Sequence, residues 1–181
     1  MVIGIVGALG AGKGTVVDYL KSKGFRHYSA SGCLKEVLLS RGIEPNRDAY
    51  SQLAGEIRNQ DPQGLTKVLY ERYQKDGGGD AIIEALHDIG EVEYIKSVGG
   101  IVLSLDADVV VRYERAIARG SEKDNISFEH FKAQIEREEH GGGHHNIRAA
   151  MKLADVVLQN NGTVAELHAQ VDAFLAQYAV A

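Results

Sequence analysis

The sequence predicts an α/β fold, a three-layer sandwich in which helices cover both faces of a five-stranded parallel sheet. Two observations lead to this class. Short apolar runs rich in Val and Ile alternate along the chain with segments whose apolar residues recur at helical spacing. Each run contains few polar residues, as expected of strands that are buried on both faces of a parallel sheet.

Four apolar runs and one weaker segment, residues 26–29, place five strands in the chain. The first run ends in glycines, and the helical spacing that follows extends to Gly24, a residue type common just after a helix end. The last strand is followed by Thr163 and Glu166, the pattern of a capping box that opens a final helix. The predicted strands cover residues 2–6, 26–29, 81–83, 101–105 and 156–158.

A long helical insertion, residues 31–79, separates the second and third predicted strands. Helices are expected over 31–40 and 46–59, and a third from Asp61 as N-cap and Pro62 as first helical residue to a triple glycine. At roughly 150 residues per domain, the whole chain, 1–181, is expected to form one domain.

Composition excludes several classes of protein. A 44% hydrophobic and 25% charged chain is typical of a folded soluble protein, and a net charge of -5 argues against nucleic acid as a partner. The one cysteine, Cys33, cannot form an internal disulfide, and no apolar run approaches the ~20 residues of a membrane span. We therefore expect a cytoplasmic protein, a monomer or homodimer, with no membrane partner.

The segment from Gly7 to Thr15, the phosphate loop, has the spacing G-x-x-x-x-G-K between a buried strand and a helix. Glycines let backbone amides surround a phosphate, while the helix end and the lysine counter its charge. A turn that only connects a strand to a helix does not require a lysine there. The expected contacts of ATP are therefore Gly7, Leu9, Gly10, Ala11, Gly12, Lys13, Gly14 and Thr15.

Magnesium is the expected metal of this site. In the usual motif a Ser or Thr directly follows the lysine and binds Mg²⁺. Here Gly14 holds that position and Thr15 comes one residue later, so phosphates, water and a more distant carboxylate are also expected as ligands. Glu84, which follows the apolar residues of the third predicted strand with Asp88 nearby, is the candidate carboxylate for metal and proton handling.

The string of residues 10–15, Gly-Ala-Gly-Lys-Gly-Thr, is similar to the adenylate-kinase form of this loop, and the chain resembles the nucleoside monophosphate kinase group of P-loop proteins. Further segments resemble predicted nucleotide kinases related to dephospho-CoA kinases, so that the resemblance covers nearly the whole chain. These segments are residues 41–43, 53–58, 90–94, 112–119, 154–155 and 160–163.

The resemblance implies several roles. Arg119 would lie over the adenine of ATP, and Arg115 or Arg137 would lie near its phosphates. The loop that contains Asn161 and Gly162 would line the adenine pocket. Related sequences carry Asp and Arg where this chain has Glu84 and His87, and a Ser-Asp pair where it has Ser31 and Gly32.

Arg112, Arg115 and Arg119 have spacings of three and four residues, which places them on one helix face. The polar segment 120–127 follows, and we expect the region 120–146 to form a lid that closes over nucleotide phosphates. The alternative is a solvated helix face, in which the arginines pair with Glu114, Glu122 and Glu129.

The acceptor is expected to bind at the helical insertion. Arg41, Arg47 and Arg58 are candidates to hold a monophosphate, because the guanidinium fork matches phosphate oxygens. The resemblance favours Arg58, and His87 is a further candidate. Three other histidines lie near Glu138 and Glu139, yet their spacing fits no zinc pattern and a metal role is not expected; they are His140, His144 and His145.

These observations predict an ATP-dependent phosphotransferase that acts with Mg²⁺ on a small phosphorylated nucleotide, with a nucleoside or deoxynucleoside monophosphate as the first choice. Two alternatives stay open. One is a dephospho-CoA kinase, whose acceptor is a ribose hydroxyl. The other is a non-enzymatic ATP-binding switch or regulator, which the residues Gly32, Glu84 and His87 suggest.

Overall fold

A computed structural model describes residues 1–118, 127–140 and 146–178 of the chain. The strands form one five-stranded sheet in which every pairing is parallel and the order is β2-β3-β1-β4-β5. The predicted parallel sheet is therefore confirmed. The strands are Val2–Gly7 (β1), Arg26–Ser29 (β2), Ala81–Leu86 (β3), Ile101–Asp106 (β4) and Val156–Gln159 (β5).

Helices cover both faces of the sheet, as predicted, and they fall into two sets. One face is covered by α1 and α9, and the other by α4, α5 and α8. The helices are Lys13–Ser22 (α1), Ala30–Ser40 (α2), Arg47–Gln60 (α3), Gly64–Lys75 (α4), Ile89–Ser97 (α5), Val109–Ala118 (α6), Phe128–His140 (α7), Ile147–Lys152 (α8) and Val164–Tyr178 (α9).

Two hydrophobic clusters form the core of the described residues. The larger one surrounds β1, whose six residues are all buried, and it extends from Val2 to Phe174. The smaller one lies between α6 and α7, where Ala116, Phe131 and Ile135 are buried. Leu9 of the phosphate loop packs against this second cluster, so α6 and α7 are in apolar contact with the loop.

Local capping signals are confirmed at both ends of the chain. Gly24 follows α1 with φ of 95°, and the next amide, of Phe25, donates to the Leu20 carbonyl, which is the pattern of a Schellman end. Before α9, the Thr163 amide donates to the Glu166 carboxylate at 2.7 Å, and the Glu166 amide donates to the Thr163 hydroxyl at 3.2 Å. The capping box is complete.

The predicted start of α4 is wrong. The helix begins at Gly64, after Gln63, and not at Pro62. The Asp61 carboxylate accepts from the Gln63 amide at 2.9 Å and from Lys67 Nζ at 2.6 Å. Asp61 therefore closes a turn before the helix, and this turn delays the helical conformation by two residues.

The predicted end of β3 is also wrong. The strand continues to Leu86, so Glu84 lies inside the strand and not at its end. The register against β1 shifts between Ile5, which pairs with Glu84, and Val6, which pairs with Leu86. This irregularity, a β-bulge, places one extra residue in β3 where the strand lies next to the phosphate loop. Bulges are common in strands next to active sites.

Part of the predicted lid lies outside the described residues. This holds for residues 120–126 and for 141–145, which include His144 and His145, and Arg119, directly before the lid, is also outside the described residues. Within the region 120–146 the structure describes α7, without the side chains of Arg137 and His140. No described helix is both long and apolar enough to cross a membrane.

Candidate active site

The phosphate loop adopts a conformation that depends on its glycines. Gly12 has a φ of 98°, in the left-handed region that disfavours side chains, and it immediately precedes α1. A Cβ built on Gly7 would lie 2.6 Å from the Leu105 carbonyl oxygen, so β1 and β4 approach each other more closely than a side chain would permit. Leu9 to Gly12 form the turn between β1 and α1, and Lys13, Gly14 and Thr15 form the first turn of the helix.

Lys13 lies across the loop that precedes it. Its Nζ donates to the Gly7 carbonyl oxygen at 2.7 Å and to the Ala8 carbonyl oxygen at 3.0 Å. The ammonium group is half-buried, and the N-terminal end of α1 adds partial positive charge beside it. The loop and the helix end together form a concentrated positive centre suited to a polyphosphate.

Asn160, the residue that follows β5, is hydrogen-bonded both to the phosphate loop and to the end of β4. The side chain is 5% exposed, and its Nδ2 donates to the Ala11 carbonyl oxygen at 2.9 Å. Its backbone amide donates to the Asp106 carbonyl oxygen at 2.8 Å, and a Cβ added at Gly12 would collide with Nδ2. Asn161 and Gly162 of this loop are among the predicted nucleotide contacts, whereas Asn160 is not. Its signal in the sequence was its position directly after the last predicted strand.

Arg115 and Arg112 both contact loops of the site. Arg115 Nη1 donates to the Asn160 carbonyl oxygen at 2.7 Å, and its Nη2 donates to that of Gly162 at 3.1 Å. Arg112 is only 3% exposed, and its Nη1 donates to the Leu9 carbonyl oxygen at 3.4 Å. The alternative of a solvated face is therefore wrong for Arg112. Asn161 is exposed, and its Oδ1 accepts from the Asp108 amide at 2.7 Å.

We expect Asn160→Ala to lower the free energy of unfolding by about 1–3 kcal/mol, because the buried Ala11 carbonyl loses its donor. The phosphate loop should also bind ADP more weakly. Urea unfolding and calorimetric titration with ADP measure the two effects. Gln170→Ala is the matched control, because it removes a side-chain donor from the exposed Gln159 carbonyl oxygen, and it should leave ADP affinity close to native. An equal loss in both variants would contradict the specific role of Asn160.

Glu84 is paired with a histidine that is not among the predicted site residues. His27 Nε2 lies 3.0 Å from Glu84 Oε2, and the two side chains are 23% and 20% exposed. His27 belongs to β2, an edge strand of the sheet. A single histidine in a short strand gives no sequence signal of its own, because its partner is 57 residues away.

The chemistry of the donor set fits Mg²⁺. Thr15 supplies a hydroxyl and Glu84 a carboxylate, and Mg²⁺ prefers oxygen ligands, with one or two carboxylates beside phosphates and water. Asp106 supplies a second carboxylate at the end of β4, where its oxygens accept from the Ala107 amide at 2.9 Å and from Arg148 Nη1 at 2.5 Å. Among the described residues, no group of three or more His, Cys, Asp or Glu side chains forms a preassembled metal site.

Arg58 is buried in an ion pair. Its Nε lies 3.0 Å from Glu91 Oε1, with the two side chains 3% and 1% exposed. The other carboxylate oxygen of Glu91 accepts from the His87 backbone amide at 2.7 Å, so the pair connects α3 to the segment that follows β3. Burial raises the pKa of Glu91, and the Arg58 charge opposes this effect.

Of the other predicted acceptor residues, His87 reaches this pair through its backbone amide, whereas Arg41 has a different partner. Arg41 is exposed, and its Nη1 lies 3.4 Å from Glu56 Oε2. Arg47 is the first residue of α3, and its side chain is not among those that the structure describes. Cys33 is buried in the main core, and burial raises the pKa of its thiol, as expected of a packing residue.

Solved structures with a similar fold include two kinases. Shikimate kinase from Aquifex aeolicus has a TM-score of 0.59 at 18% identity, over 99% of both chains. Dephospho-CoA kinase from Campylobacter jejuni has a TM-score of 0.58 at 15% identity, over 97% of this chain and 96% of the kinase. These likenesses show that the sheet and its helices have the P-loop kinase fold.

Relatives in sequence include UPF0200 proteins. One from Thermococcus kodakarensis is 25% identical over 178 residues, which cover 94% of each chain. Another from Sulfurisphaera tokodaii is 28% identical over 177 residues, 96% of this chain and 95% of the relative. A family model described as AAA domain matches residues 3–139, from β1 through the phosphate loop to α7. Because this match spans most of the chain, the protein belongs to the AAA domain family.

Proposed function

We propose that the protein is an ATP-dependent phosphotransferase that acts on a small nucleotide, a nucleoside or deoxynucleoside monophosphate. The observation that carries this proposal is the phosphate loop, in which Lys13 and the N-terminal end of α1 meet a turn that requires Gly12. Phosphoryl transfer needs little covalent help from a protein. It depends on positioning and on neutralising charge, which such a loop provides.

The donor ATP would bind along the phosphate loop. The loop amides and Lys13 would hold its β and γ phosphates, and Arg115, Arg119 and Arg137 would neutralise charge that develops on the transferring group. Asn161 and Gly162 would line the adenine. The contacts of Arg115 with this loop support its place at the nucleotide, because they tie α6 to the residues after β5.

Thr15 and Glu84 would hold the divalent cation, together with phosphate oxygens and water. When bound, Mg²⁺ neutralises charge on the β and γ phosphates and orients them. The residues of the chain supply the carboxylate and hydroxyl oxygens, and His27 fixes one oxygen of the carboxylate.

The acceptor would bind beside the helical insertion, where Arg41, Arg47, Arg58 and His87 are the candidate contacts. The hydrogen bonding of the Arg58 guanidinium supports its role. Among the described residues only its Nε is hydrogen-bonded, so the terminal nitrogens keep their donors for an anion. A nucleoside monophosphate presents such an anion, and its phosphate is also the group that accepts the phosphoryl transfer.

The direct test measures ADP release from Mg-ATP with a panel of nucleoside and deoxynucleoside monophosphates. We expect one or a few monophosphates to stimulate ADP release well above the rate without acceptor. Dephospho-CoA belongs in the panel, and stimulation by it alone would identify a dephospho-CoA kinase. Tight ATP binding with no stimulated release by any acceptor would contradict the enzyme and favour a nucleotide-dependent switch.

A further inference from the structure

We infer that His27 is a positioning residue for the proposed reaction: it fixes the Glu84 carboxylate in the orientation in which that carboxylate meets the divalent cation. The inference rests on the proposed function and adds a residue to it. It is carried by the 3.0 Å contact between His27 and Glu84, by the sheet face on which the pair lies, and by the irregular register of β3.

The pair lies on the sheet face that α1 covers. Tyr28, the neighbour of His27, contacts Tyr73 of α4 edge-to-face at 6.1 Å between ring centroids, and α4 packs on the opposite face. Successive side chains of a strand point to opposite faces, so His27 faces α1. The hydrogen bond places Glu84 on this same face, and α1 is the helix that carries Lys13 and Thr15 in its first turn.

The irregular register of β3 places Glu84 and Leu86 on opposite faces of the sheet. A Cβ on Gly4 would lie 2.9 Å from Leu86 Cδ1 and 3.1 Å from Ile95 of α5, so Leu86 packs on the face that α5 covers. In a regular strand, residues two apart share a face. The extra residue in β3 breaks this rule, so that Leu86 is buried in the core while Glu84, two residues earlier, reaches His27. Bulges next to active sites commonly redirect a side chain in this way.

One oxygen of Glu84 is fixed and the other is available. Within the described ranges, His27 binds Oε2 and no hydrogen bond to Oε1 is present. A neutral imidazole that donates from Nε2 would orient the carboxylate without removing its charge. A ligand already held in one rotamer loses less conformational entropy when a cation binds, which is why partners of metal ligands affect metal affinity.

A purely structural role for His27 predicts a different result. The contact joins β2 to β3 at the sheet edge, and losing it would destabilise the fold equally with and without metal. A positioning role instead changes the concentration of cation that the nucleotide complex requires. The two roles are therefore separated by a measurement of metal dependence on the folded protein.

The experiment compares His27→Ala, His27→Gln and the native chain by thermal unfolding at saturating ADP, with MnCl₂ as the titrated probe. We expect His27→Ala to need about tenfold more Mn²⁺ for the half-maximal rise in melting temperature. His27→Gln keeps a side-chain amide donor and should stay close to native. His168→Ala is the matched control, a half-buried histidine stacked on Tyr19 at 3.7 Å between α1 and α9.

The double variant His27→Ala/Glu84→Gln tests whether His27 acts through Glu84. If His27 acts through Glu84, adding His27→Ala to Glu84→Gln should not raise the Mn²⁺ requirement further. A native Mn²⁺ requirement in His27→Ala, or an additional rise in the double variant, would overturn the inference and leave the proposed function intact. A native chain that shows no Mn²⁺-dependent rise with ADP would overturn the proposed function, and the inference with it.

Discussion

Replacing Lys13 by alanine is expected to lower the turnover number for phosphoryl transfer by about 10²–10³-fold, the usual effect of removing one preorganised charge from a transition state. Its Nζ lies against the carbonyl oxygens of Gly7 and Ala8, so the charge is held at the loop before nucleotide binds. The apo protein should also unfold at a somewhat lower temperature, because the carbonyl oxygens of the buried residues Gly7 and Ala8 lose a charged donor.

The measurement is steady-state ADP release with Mg-ATP and the best acceptor of the panel, together with the melting temperature without ligand. Lys21→Ala is the matched control on the same helix, where the lysine is 51% exposed and lies 3.7 Å from Asp18. It should turn over at the native rate. Native turnover in Lys13→Ala would contradict the assignment of the phosphate loop as the donor site.

The parts of the fold that could be predicted are those encoded by neighbouring residues. The segment from β1 through the phosphate loop to α1 is contiguous, and Gly24 and the Thr163–Glu166 box each mark a helix end locally. The two incorrect predictions, the start of α4 and the end of β3, concern places where a contact with another segment determines the structure. Asp61 closes a turn with Lys67, and the end of β3 depends on its register against β1.

The parts of the site that could not be predicted depend on contacts between distant residues. Asn160 binds Ala11 across 149 residues, His27 binds Glu84 across 57, and Arg58 binds Glu91 across 33. Hydrophobic periodicity and motif spacing contain no information about such pairs. The phosphate loop could be predicted because its function is built into one uninterrupted segment, whereas the acceptor and metal contacts come from several elements that only the fold brings together.

Arg58→Met is expected to lower the free energy of unfolding by about 3–5 kcal/mol, the usual cost of leaving one partner of a buried ion pair alone. Glu91 is 1% exposed, and its remaining hydrogen bond comes from the His87 amide. The double variant Arg58→Met/Glu91→Leu replaces the pair with apolar side chains and should recover most of the loss. Arg41→Met is the control at an exposed pair and should change stability by less than about 0.5 kcal/mol.

The pH dependence identifies the cause of the loss in Arg58→Met. Burial raises the pKa of Glu91, and removing the guanidinium should raise it further. The pKa of such a carboxyl in the folded protein lies above its unfolded value of about 4.3. The protonated carboxyl then stabilises the fold fully at a pH below the unfolded pKa. This stabilisation is lost as the pH rises through the folded pKa. The deficit of Arg58→Met should therefore be larger at pH 7 than at pH 5, measured by urea unfolding at both values. An equal deficit at both pH values would mean that lost packing, and not the unpaired carboxylate, destabilises the variant, because packing does not titrate.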